Sequence, residues 1–322
     1  METYLGMDFG GTKLLIGEVD SEGNILASKQ YRTGYVNQQS AVGIIRSSLA
    51  DYLSTVGCGN RNPNAIGIGM IGRVDTEVGH WLQIDVDRSQ PIELAYEISE
   101  TFGMPCFLAN DVKSATLAEQ CWGYGRMSDN FIYINIGTGI AAGMVIDGRL
   151  TAGSHFNAGE VGHTQVGVHT GAKCCCGRTD CVETIASGSG FDICARMMRP
   201  LYPESALELP ADTRVDVRRI YELARKNDSL CKLLVDNAAQ AIANLIMNLV
   251  RVSDPDTVVL GGGIVSDPMM YNNILLRLHK HTMRFVTNGV VLTRLNPAYI
   301  GLLGAAAVAM NSNITKEAAI LQ

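Results

Sequence analysis

The distribution of apolar and polar positions along the chain predicts alternating strands and helices. Apolar runs at residues 4–9 and 14–19 flank a Gly10-Gly11-Thr12 turn, and a third run begins after a turn at residues 21–24. No helical pattern follows the glycines. The segment therefore predicts a β-meander and not the strand–glycine–helix opening of a dinucleotide-binding domain.

The rest of the pattern predicts an α/β fold, because strands and helices alternate in both halves of the chain. Residues 153–188 are rich in glycine, histidine and cysteine and are expected to be irregular. The predicted helices are residues 38–53, 92–102, 111–122, 216–252, 267–283 and 304–309, and the predicted strands are residues 65–70, 105–109, 257–260 and 290–295.

The opening pattern occurs a second time. Apolar runs at residues 131–136 and 140–146 flank Gly137-Thr138-Gly139, and a turn and a short strand follow. A single duplication over this distance indicates two similar lobes and not a solenoid, which repeats every few tens of residues. Two lobes in turn predict a cleft that binds a ligand.

Composition excludes several classes of protein. The chain has 322 residues, of which 47% are hydrophobic, enough for two lobes that each have a core. Its net charge of −6 argues against nucleic acid as the main partner. The most apolar stretch, residues 241–250, is too short to span a membrane, and the first residues lack the features of a signal peptide. We therefore expect a cytoplasmic protein.

The two Gly-Thr turns are candidate phosphate-binding sites. Each presents backbone N–H groups with no side chain in the way, which suits oxygen-rich anions. Either turn alone is better explained as an ordinary hairpin, but one turn in each lobe can hold one polyphosphate. Asp8, just before the first turn, is a candidate for holding a hydrated Mg²⁺, although an Asp at a strand end is usually a cap or turn residue.

Two further segments have both a structural and a functional interpretation. Asn110 and Asp111 lie where a strand ends and a helix begins, and both residue types are favoured helix N-caps. The functional interpretation is a catalytic base at Asp111 and a polyol contact at Asn110. Gly261-Gly262-Gly263 follows a predicted strand, where it either lets the backbone approach a flat ring such as adenine or forms a flexible turn.

A cysteine-rich segment predicts a metal site. Cys174, Cys175, Cys176 and Cys181 lie within eight residues, and His163 is a short loop upstream. One histidine and three thiolates form a closed, tetrahedral structural zinc site. Spacing alone does not choose between Cys174 and Cys175. The loop has little apolar content, so the metal would supply its folding free energy.

Glu160 and Glu183 bracket this loop. Exposed carboxylates are usually just solvated, but Glu160 precedes His163 by three residues and Glu183 follows Cys181 by two. A loop made rigid by a metal would fix both carboxylates as acceptors for sugar hydroxyls.

Together these motifs resemble the ROK family of repressors and sugar kinases. The resemblance rests on MDFGGTK, IGTGI, GEVGH, CCCGRTDCVE, VVLGGGIV and LGAAA, and it covers essentially the whole chain. The fingerprint of the family is Glu-x-Gly-His followed by Cys-x-Cys-Gly-x-x-Gly-Cys-x-Glu. Matching it to this chain implies His163, Cys174, Cys176 and Cys181 as zinc ligands and leaves Cys175 outside the site.

The resemblance implies a two-lobed, actin-like (ribonuclease-H-like) α/β fold and an ATP-dependent hexose kinase. The small lobe would comprise residues 1–112 and a helix at about 305–322. The larger lobe would comprise residues 113–304 with the zinc loop at residues 163–181. The implied roles are phosphate contacts at Gly10, Gly11, Thr12, Lys13, Gly137, Thr138 and Gly139; adenosine contacts at Gly261, Gly262 and Gly263; the catalytic base Asp111; and sugar contacts at Gly69 (in a substrate-side loop), Asn110, Glu160, His163 and Glu183.

Three positions depart from the family pattern. Asp180 replaces the usual Gly before the last cysteine, and Ala141 stands where the second turn often has another Gly. Residues 82–88, which include Asp85 and Asp87, replace an Asn-Leu-Gly-Trp segment that helps bind the sugar in many family kinases. The sugar therefore stays open among glucose, allose, mannose, fructose and an N-acetylhexosamine.

The predicted reaction transfers the γ-phosphate of Mg-ATP to a sugar hydroxyl, the 6-OH by expectation, with Asp111 accepting the proton. One alternative is a sugar-sensing repressor, which would need a helix-turn-helix domain ahead of Asp8. Another is a sugar-binding protein without catalysis, against which the retention of Asp8, Asp111 and both turns argues. The resemblance also suggests a homodimer or homotetramer.

Overall fold

The computed structural model describes residues 1–34, 37–59, 61–84 and 89–320, and within them the chain forms two five-stranded mixed sheets and a small two-stranded sheet. The strands are β1 (Thr3–Phe9), β2 (Lys13–Asp20), β3 (Ile25–Arg32), β4 (Ile66–Met70), β5 (Arg73–Asp75), β6 (His80–Gln83), β7 (Cys106–Asn110), β8 (Phe131–Ile136), β9 (Ile140–Ile146), β10 (Arg149–Leu150), β11 (Thr257–Gly261) and β12 (Gly289–Leu292). The α-helices are α1 (Gln38–Thr55), α2 (Leu94–Phe102), α3 (Asp111–Trp122), α4 (Val182–Ala186), α5 (Gly188–Met198), α6 (Val217–Arg225), α7 (Ser229–Ser253), α8 (Pro268–Leu276) and α9 (Ile300–Ile320).

The two large sheets have the same topology. Their strand orders are β3-β2-β1-β4-β7 and β10-β9-β8-β11-β12. In each sheet three antiparallel strands form a meander, and two parallel strands extend it on the other side. This topology confirms the predicted α/β class and the predicted duplication.

The chain divides into two compact units. The first comprises residues Met1–Met127, Ala152–Ala158 and Arg294–Gln322, and the second comprises Ser128–Thr151 and Gly159–Thr293. The small lobe expected from sequence stopped at residue 112. The first unit extends further because α3 packs on α9 through Ala118, Leu302 and their neighbours.

In the first unit, helices cover both faces of the sheet. Alternate residues of β1 point to opposite faces, so that Leu5, Met7 and Phe9 pack with α1 and α2, and Tyr4 packs on the side of α3 and α9. Helix α9 lies very close to the sheet. A Cβ on Gly67 would be 1.9 Å from the carbonyl oxygen of Ala305, so this contact requires glycine.

In the second unit, α7 is the central helix of the core. By length and composition it is the one helix in the described part of the chain that could cross a membrane, but 61% of its most apolar window is buried inside the protein. The sequence predicted one helix over residues 216–252. The structure has two, because Asn227 adopts a left-handed conformation (φ 65°) and Asp228 caps α7 by accepting from the Cys231 amide at 3.0 Å.

The other differences from the predicted elements are shifted ends and elements that were not predicted. Helix α8 is shorter than predicted, and α9 begins at Ile300 and is longer. The hairpin of β5 and β6 and the helices α4 and α5 were not predicted. Asp85 and Asp87 lie outside the described residues.

Candidate functional site

In the first unit, the carboxyl ends of three parallel strands bring several predicted site residues side by side. Asp8 of β1 pairs with Gly69 of β4, and Met70 of β4 pairs with Asn110 of β7. Asp111 follows Asn110 as the first residue of α3. The carboxyl edge of an open α/β sheet is where such folds commonly bind ligands.

Asp8 is half-buried and precedes the first glycine turn by two residues. Burial raises the pKa of its carboxyl group, and the positive charge of Lys13 opposes that shift. The carboxyl group of Asp8 also lies against Gly301, which is in the first turn of α9. The partial positive charge of a helix N-terminus favours a carboxylate there. A carboxylate held at this edge fits an Mg²⁺ ion that keeps several of its waters.

The first glycine turn leaves its backbone uncovered. The Gly10 amide donates to the Lys13 carbonyl at 2.9 Å and closes the turn. A Cβ at Gly11 would meet nothing within 4 Å, and one at Gly10 would meet only the Lys13 carbonyl at 3.5 Å. Neither glycine has positive φ among the described residues. Packing inside the protein therefore does not explain these glycines, whereas close approach of a phosphate would.

Gly69 does not lie in a loop, and that expectation was wrong. It is a buried residue of β4, flanked by Asp8 and by Ala109 of β7. A Cβ at Gly69 would be 3.1 Å from the hydroxyl oxygen of Ser114, a tight contact where α3 crosses the sheet. A sugar contact at Gly69 stays a prediction.

Asn110 acts as the N-cap of α3. Its Oδ1 accepts from the amides of Val112 at 3.0 Å and Lys113 at 3.3 Å, and its Nδ2 donates to the Gly72 carbonyl at 3.0 Å. The structural interpretation of this residue is therefore correct. A role in binding sugar stays a prediction.

Asp111 is half-buried, and its Oδ1 accepts from the Val112 amide at 2.9 Å. Two residues later, Lys113 is buried and donates from Nζ to the carbonyls of Ala152 at 3.2 Å and Phe156 at 2.9 Å. Lys113 thus holds the segment Ala152–Ala158 within the first unit. Lys113 was not among the predicted site residues. The available signal was its place in the first turn of a predicted helix, two residues after the candidate base Asp111.

In the second unit, the carboxylate of Glu183 supports the second glycine turn. Gly137 donates to the Gly139 carbonyl at 3.0 Å, and Glu183 accepts from the Ile140 amide at 2.8 Å. A Cβ on Gly139 would be 2.6 Å from Glu183 Oε2. Glu183 is half-buried here, and so it is not an ordinary solvated carboxylate.

The three consecutive glycines at the end of β11, Gly261, Gly262 and Gly263, are not equivalent. A Cβ on Gly261 would be 2.2 Å from the Tyr133 hydroxyl, and Gly262 has φ 92° and lies against the Ile136 carbonyl. Both are therefore required by contacts with β8. A Cβ on Gly263 would meet nothing within 4 Å, so packing inside the protein does not require glycine at this position. Adenosine contacts at these three glycines stay a prediction.

His163, Cys174, Cys176 and Cys181 bring their ligand atoms within 4.8 Å of one another. Nδ1 of His163 is 3.3 Å from Sγ of Cys174, and Sγ of Cys176 is 3.5 Å from Sγ of Cys181. Ligand atoms around a tetrahedral zinc ion lie roughly 3.3–3.8 Å apart. These four side chains therefore fit a structural zinc ion, while the exposed Cys175 lies outside the cluster.

Arg178 supports this cluster from the surface. Its backbone and side-chain hydrogen bonds lower the pKa of Cys176 to about 6, which favours the thiolate that a metal binds. Its guanidinium also donates to the carbonyl of His163. Because Nδ1 of His163 points into the cluster, Nε2 lies on the opposite edge of the ring.

Asp180, the residue that departs from the family pattern, fastens the loop. It adopts a left-handed conformation (φ 58°), which suits the Gly of the family fingerprint at this position. Its Oδ1 accepts from the amides of Thr170 at 2.8 Å and Gly171 at 2.7 Å and from the Thr170 hydroxyl at 3.0 Å. Burial alone would raise the pKa of Asp180, but these hydrogen bonds outweigh burial and lower it.

Glu160 is exposed and begins a short turn of 3₁₀ helix, Val161–His163. It therefore lies on the same short segment as the cluster ligand His163. Ala141 pairs with Asn135 in the β8–β9 ladder, so the position that often has Gly in relatives forms regular strand here.

Comparison with known proteins identifies a family match and several similar proteins. The ROK family matches residues 4–312. The chain is 29% identical over 267 residues to a glucokinase from Halalkalibacterium halodurans, covering 81% of this chain and 80% of that protein. It is 30% identical over 267 residues to N-acetylmannosamine kinase from Haemophilus influenzae, again covering 81% and 80%. It is also 26% identical over 263 residues to the DNA-binding transcriptional dual regulator NagC from Escherichia coli, covering 81% of this chain and 63% of that protein.

Solved structures with the same fold agree with these relatives. A ROK hexokinase from Thermus thermophilus superposes with a TM-score of 0.78 at 27% identity, covering 97% of this chain and 99% of that one. A ROK family glucokinase from Streptomyces griseus in complex with glucose and AMPPNP superposes with a TM-score of 0.75 at 27% identity, covering 96% and 99%. The match over nearly the whole length, in sequence and in fold, shows that the chain belongs to the ROK family.

Proposed function

We propose that the protein is an ATP-dependent sugar kinase with Asp111 as its catalytic base. The observation that carries the proposal is the row of residues at the carboxyl edge of the first sheet. There the half-buried carboxyl of Asp8, the uncovered glycine turn and the half-buried Asp111 follow from the ends of neighbouring strands. The matches to glucokinases and hexokinases support the same reaction.

Asp111 accepts the proton of the attacking sugar hydroxyl, the 6-OH in our proposal. A positioned base of this kind contributes roughly 10²–10⁴-fold to the rate. Asp111 begins α3, a buried helix whose start is capped by Asn110. Its backbone is therefore fixed on a rigid element, which suits a reaction that depends mainly on positioning.

The glycine turns bind phosphate oxygens through backbone N–H groups. Gly10, Gly11, Thr12 and Lys13 serve in the first unit, and Gly137, Thr138 and Gly139 serve in the second. Asp8 would orient the hydrated Mg²⁺ that accompanies ATP, and that cation would offset negative charge on the phosphates. Gly261, Gly262 and Gly263 contact the adenosine, and Gly263 is the one of the three whose added Cβ would meet no protein atom within 4 Å.

The substrate is a hexose or an N-acetylhexosamine. Relatives named for glucose and for N-acetylmannosamine match this chain at nearly the same identity, 29% and 30%, so similarity does not choose between them. Asn110, Glu160, His163 and Glu183 hold the sugar hydroxyls, and the Nε2 edge of His163 is available for this because Nδ1 faces the cysteines.

His163, Cys174, Cys176 and Cys181 hold a structural zinc ion. The closed set of one imidazole and three thiols leaves no open position for substrate. The zinc ion would contribute folding free energy to a loop that has few buried apolar residues.

A sugar-sensing regulator is the second candidate, favoured by the match to NagC. The two functions differ in turnover. We would measure ADP release by the purified protein with Mg-ATP against glucose, mannose, allose, fructose, N-acetylglucosamine and N-acetylmannosamine. We expect one sugar to turn over well above the rate with no sugar. Sugar binding without ADP release from any of them would favour the regulator and contradict the kinase.

A further inference from the structure

Ile140, the first residue after the second glycine turn, is held by the neighbours of two zinc-cluster residues. Glu183, two residues after Cys181, accepts from the Ile140 amide at 2.8 Å. Gly162, one residue before His163, lies so close that an added Cβ would be 2.2 Å from the Ile140 carbonyl oxygen. Residues on either side of the metal loop (residues 163–181) thus lie against both polar groups of the Ile140 backbone.

A second connection runs through α4 and α5. Cys181 is the N-cap of α4, and α4 has only five residues. Ser187, which follows it, caps α5 by accepting from the Gly190 amide at 2.9 Å. The first amides of α5 then donate to the turn: Gly188 to the Gly137 carbonyl at 2.8 Å, and Ser189 to the Thr138 carbonyl at 3.2 Å.

We propose that the metal loop positions the second phosphate turn, and that Glu183 is the positioning residue that joins them. The inference rests on the proposed kinase function only for its consequence, which is nucleotide affinity. It gives Glu183 a structural task on the phosphate side in addition to the sugar contact implied by the resemblance.

The short distances explain why a small movement of Glu183 would disturb the second glycine turn. Oε2 of Glu183 lies so close to Gly139 that a Cβ added there would be 2.6 Å from it. The carboxylate therefore lies directly against Gly139 while it accepts from the Ile140 amide. If the loop loosens, Cys181 moves, and Glu183 moves with it because α4 is a single short helical segment.

Hydrogen–deuterium exchange of the full-length protein tests the link without any ligand. We would follow the Ile140 amide in wild type, in protein stripped of zinc with the loss measured by elemental analysis, and in Glu183→Ala and Glu183→Gln. Exposed Glu208→Ala is the matched control. We expect exchange at Ile140 to be roughly 3- to 10-fold faster after zinc removal and in Glu183→Ala. Glu183→Gln should stay near wild type, because its amide oxygen also accepts a hydrogen bond.

Protection of β11 shows in each sample that the unit remains folded. Unchanged exchange at Ile140 in zinc-free protein with β11 protected would overturn the proposal. If zinc removal unfolds the unit, the comparison of Glu183→Ala with Glu183→Gln decides instead, and equal exchange in these two variants would overturn it.

Binding of Mg-AMPPNP without sugar tests the functional consequence. We expect Glu183→Ala and zinc removal each to weaken affinity roughly 3- to 10-fold, and their combination to weaken it little further, since both act through one contact. Fully additive losses of AMPPNP affinity would contradict a link from the metal loop to the turn through Glu183. Wild-type protein that binds AMPPNP but phosphorylates no sugar would contradict the kinase function alone, because neither comparison involves turnover.

Discussion

The carboxyl group of Asp8 lies against the backbone of Gly301, at the start of the last helix. A Cβ added to Gly301 would be 2.4 Å from Asp8 Oδ2. The two residues are nearly 300 positions apart in sequence, and α9 brings them together by packing on β1. The proposed Mg²⁺-orienting carboxylate is therefore positioned by the C-terminal helix as much as by its own strand.

Gly301→Ala should impair the kinase without unfolding it. The added methyl group forces the Asp8 carboxyl to move, and misplacement by about 1 Å at a reacting centre can reduce the rate roughly 100-fold. Steady-state kinetics should show a higher KM for Mg-ATP and a lower kcat.

The matched control for this change is Gly43→Ala in α1. A Cβ there would meet nothing within 4 Å, so activity should be unchanged and stability should rise by about 0.5–1 kcal/mol. Equal kinetics in Gly301→Ala and wild type would contradict the role given to Asp8.

The cysteine cluster predicts a contrast between two adjacent cysteines. Cys176→Ser should lose bound zinc and lower the melting temperature, because Cys176 is one of the four clustered ligands. Cys175→Ser should keep one zinc per chain and melt like wild type, because Cys175 is exposed and outside the cluster. Elemental analysis and thermal melting measure both effects. Equal zinc content in the two variants would show that the cluster is not the zinc site.

Asp180→Ala should destabilise the metal loop. The change removes the acceptor for two amides and a hydroxyl and places Ala at φ 58°. We expect a loss of about 2 kcal/mol or more in the free energy of unfolding. Asp180→Gly restores a residue suited to this backbone conformation and should lose less. Asp212→Ala, at an exposed position, is the control. If Asp212→Ala lowered the melting temperature as much as Asp180→Ala, the loss could not be assigned to the hydrogen bonds of Asp180.

Lys113→Met should release the segment Ala152–Ala158. The ammonium group donates to two carbonyls there, and methionine fills the buried space without replacing those hydrogen bonds. The expected loss is about 1–3 kcal/mol, together with faster hydrogen exchange and earlier proteolytic cleavage in this segment. Lys226→Met, at an exposed position, should change neither. Protection of the segment equal to wild type in Lys113→Met would contradict this tether.

Local patterns in the sequence predicted most of the fold. Each glycine turn falls where an apolar run stops, so β1, β2, β8 and β9 could be located within one or two residues. The break between α6 and α7 could not be predicted from apolar spacing, which continues across it. The break depends on the left-handed Asn227 and the cap at Asp228, two polar residues that also occur inside helices.

The candidate site was less predictable from sequence, because long-range contacts decide what each residue does. Asn110 was assigned two possible roles, and only the fold shows that its amide group caps α3 and bonds Gly72. Glu183 looked like a loop carboxylate, yet it accepts from Ile140, 43 positions away. No local pattern carries this information, since the partner of each group is set by how the sheet and helices pack.

The central claim is that Asp111 is the base of a phosphoryl transfer. We would measure kcat for the best sugar substrate with Asp111→Asn, together with the Kd values for sugar and for AMPPNP. Asp216→Asn, the same change at the N-cap of α6, serves as control. We expect kcat to fall roughly 10²–10⁴-fold in Asp111→Asn while both Kd values and the melting temperature stay near wild type. A kcat within about tenfold of wild type, with binding intact, would contradict it.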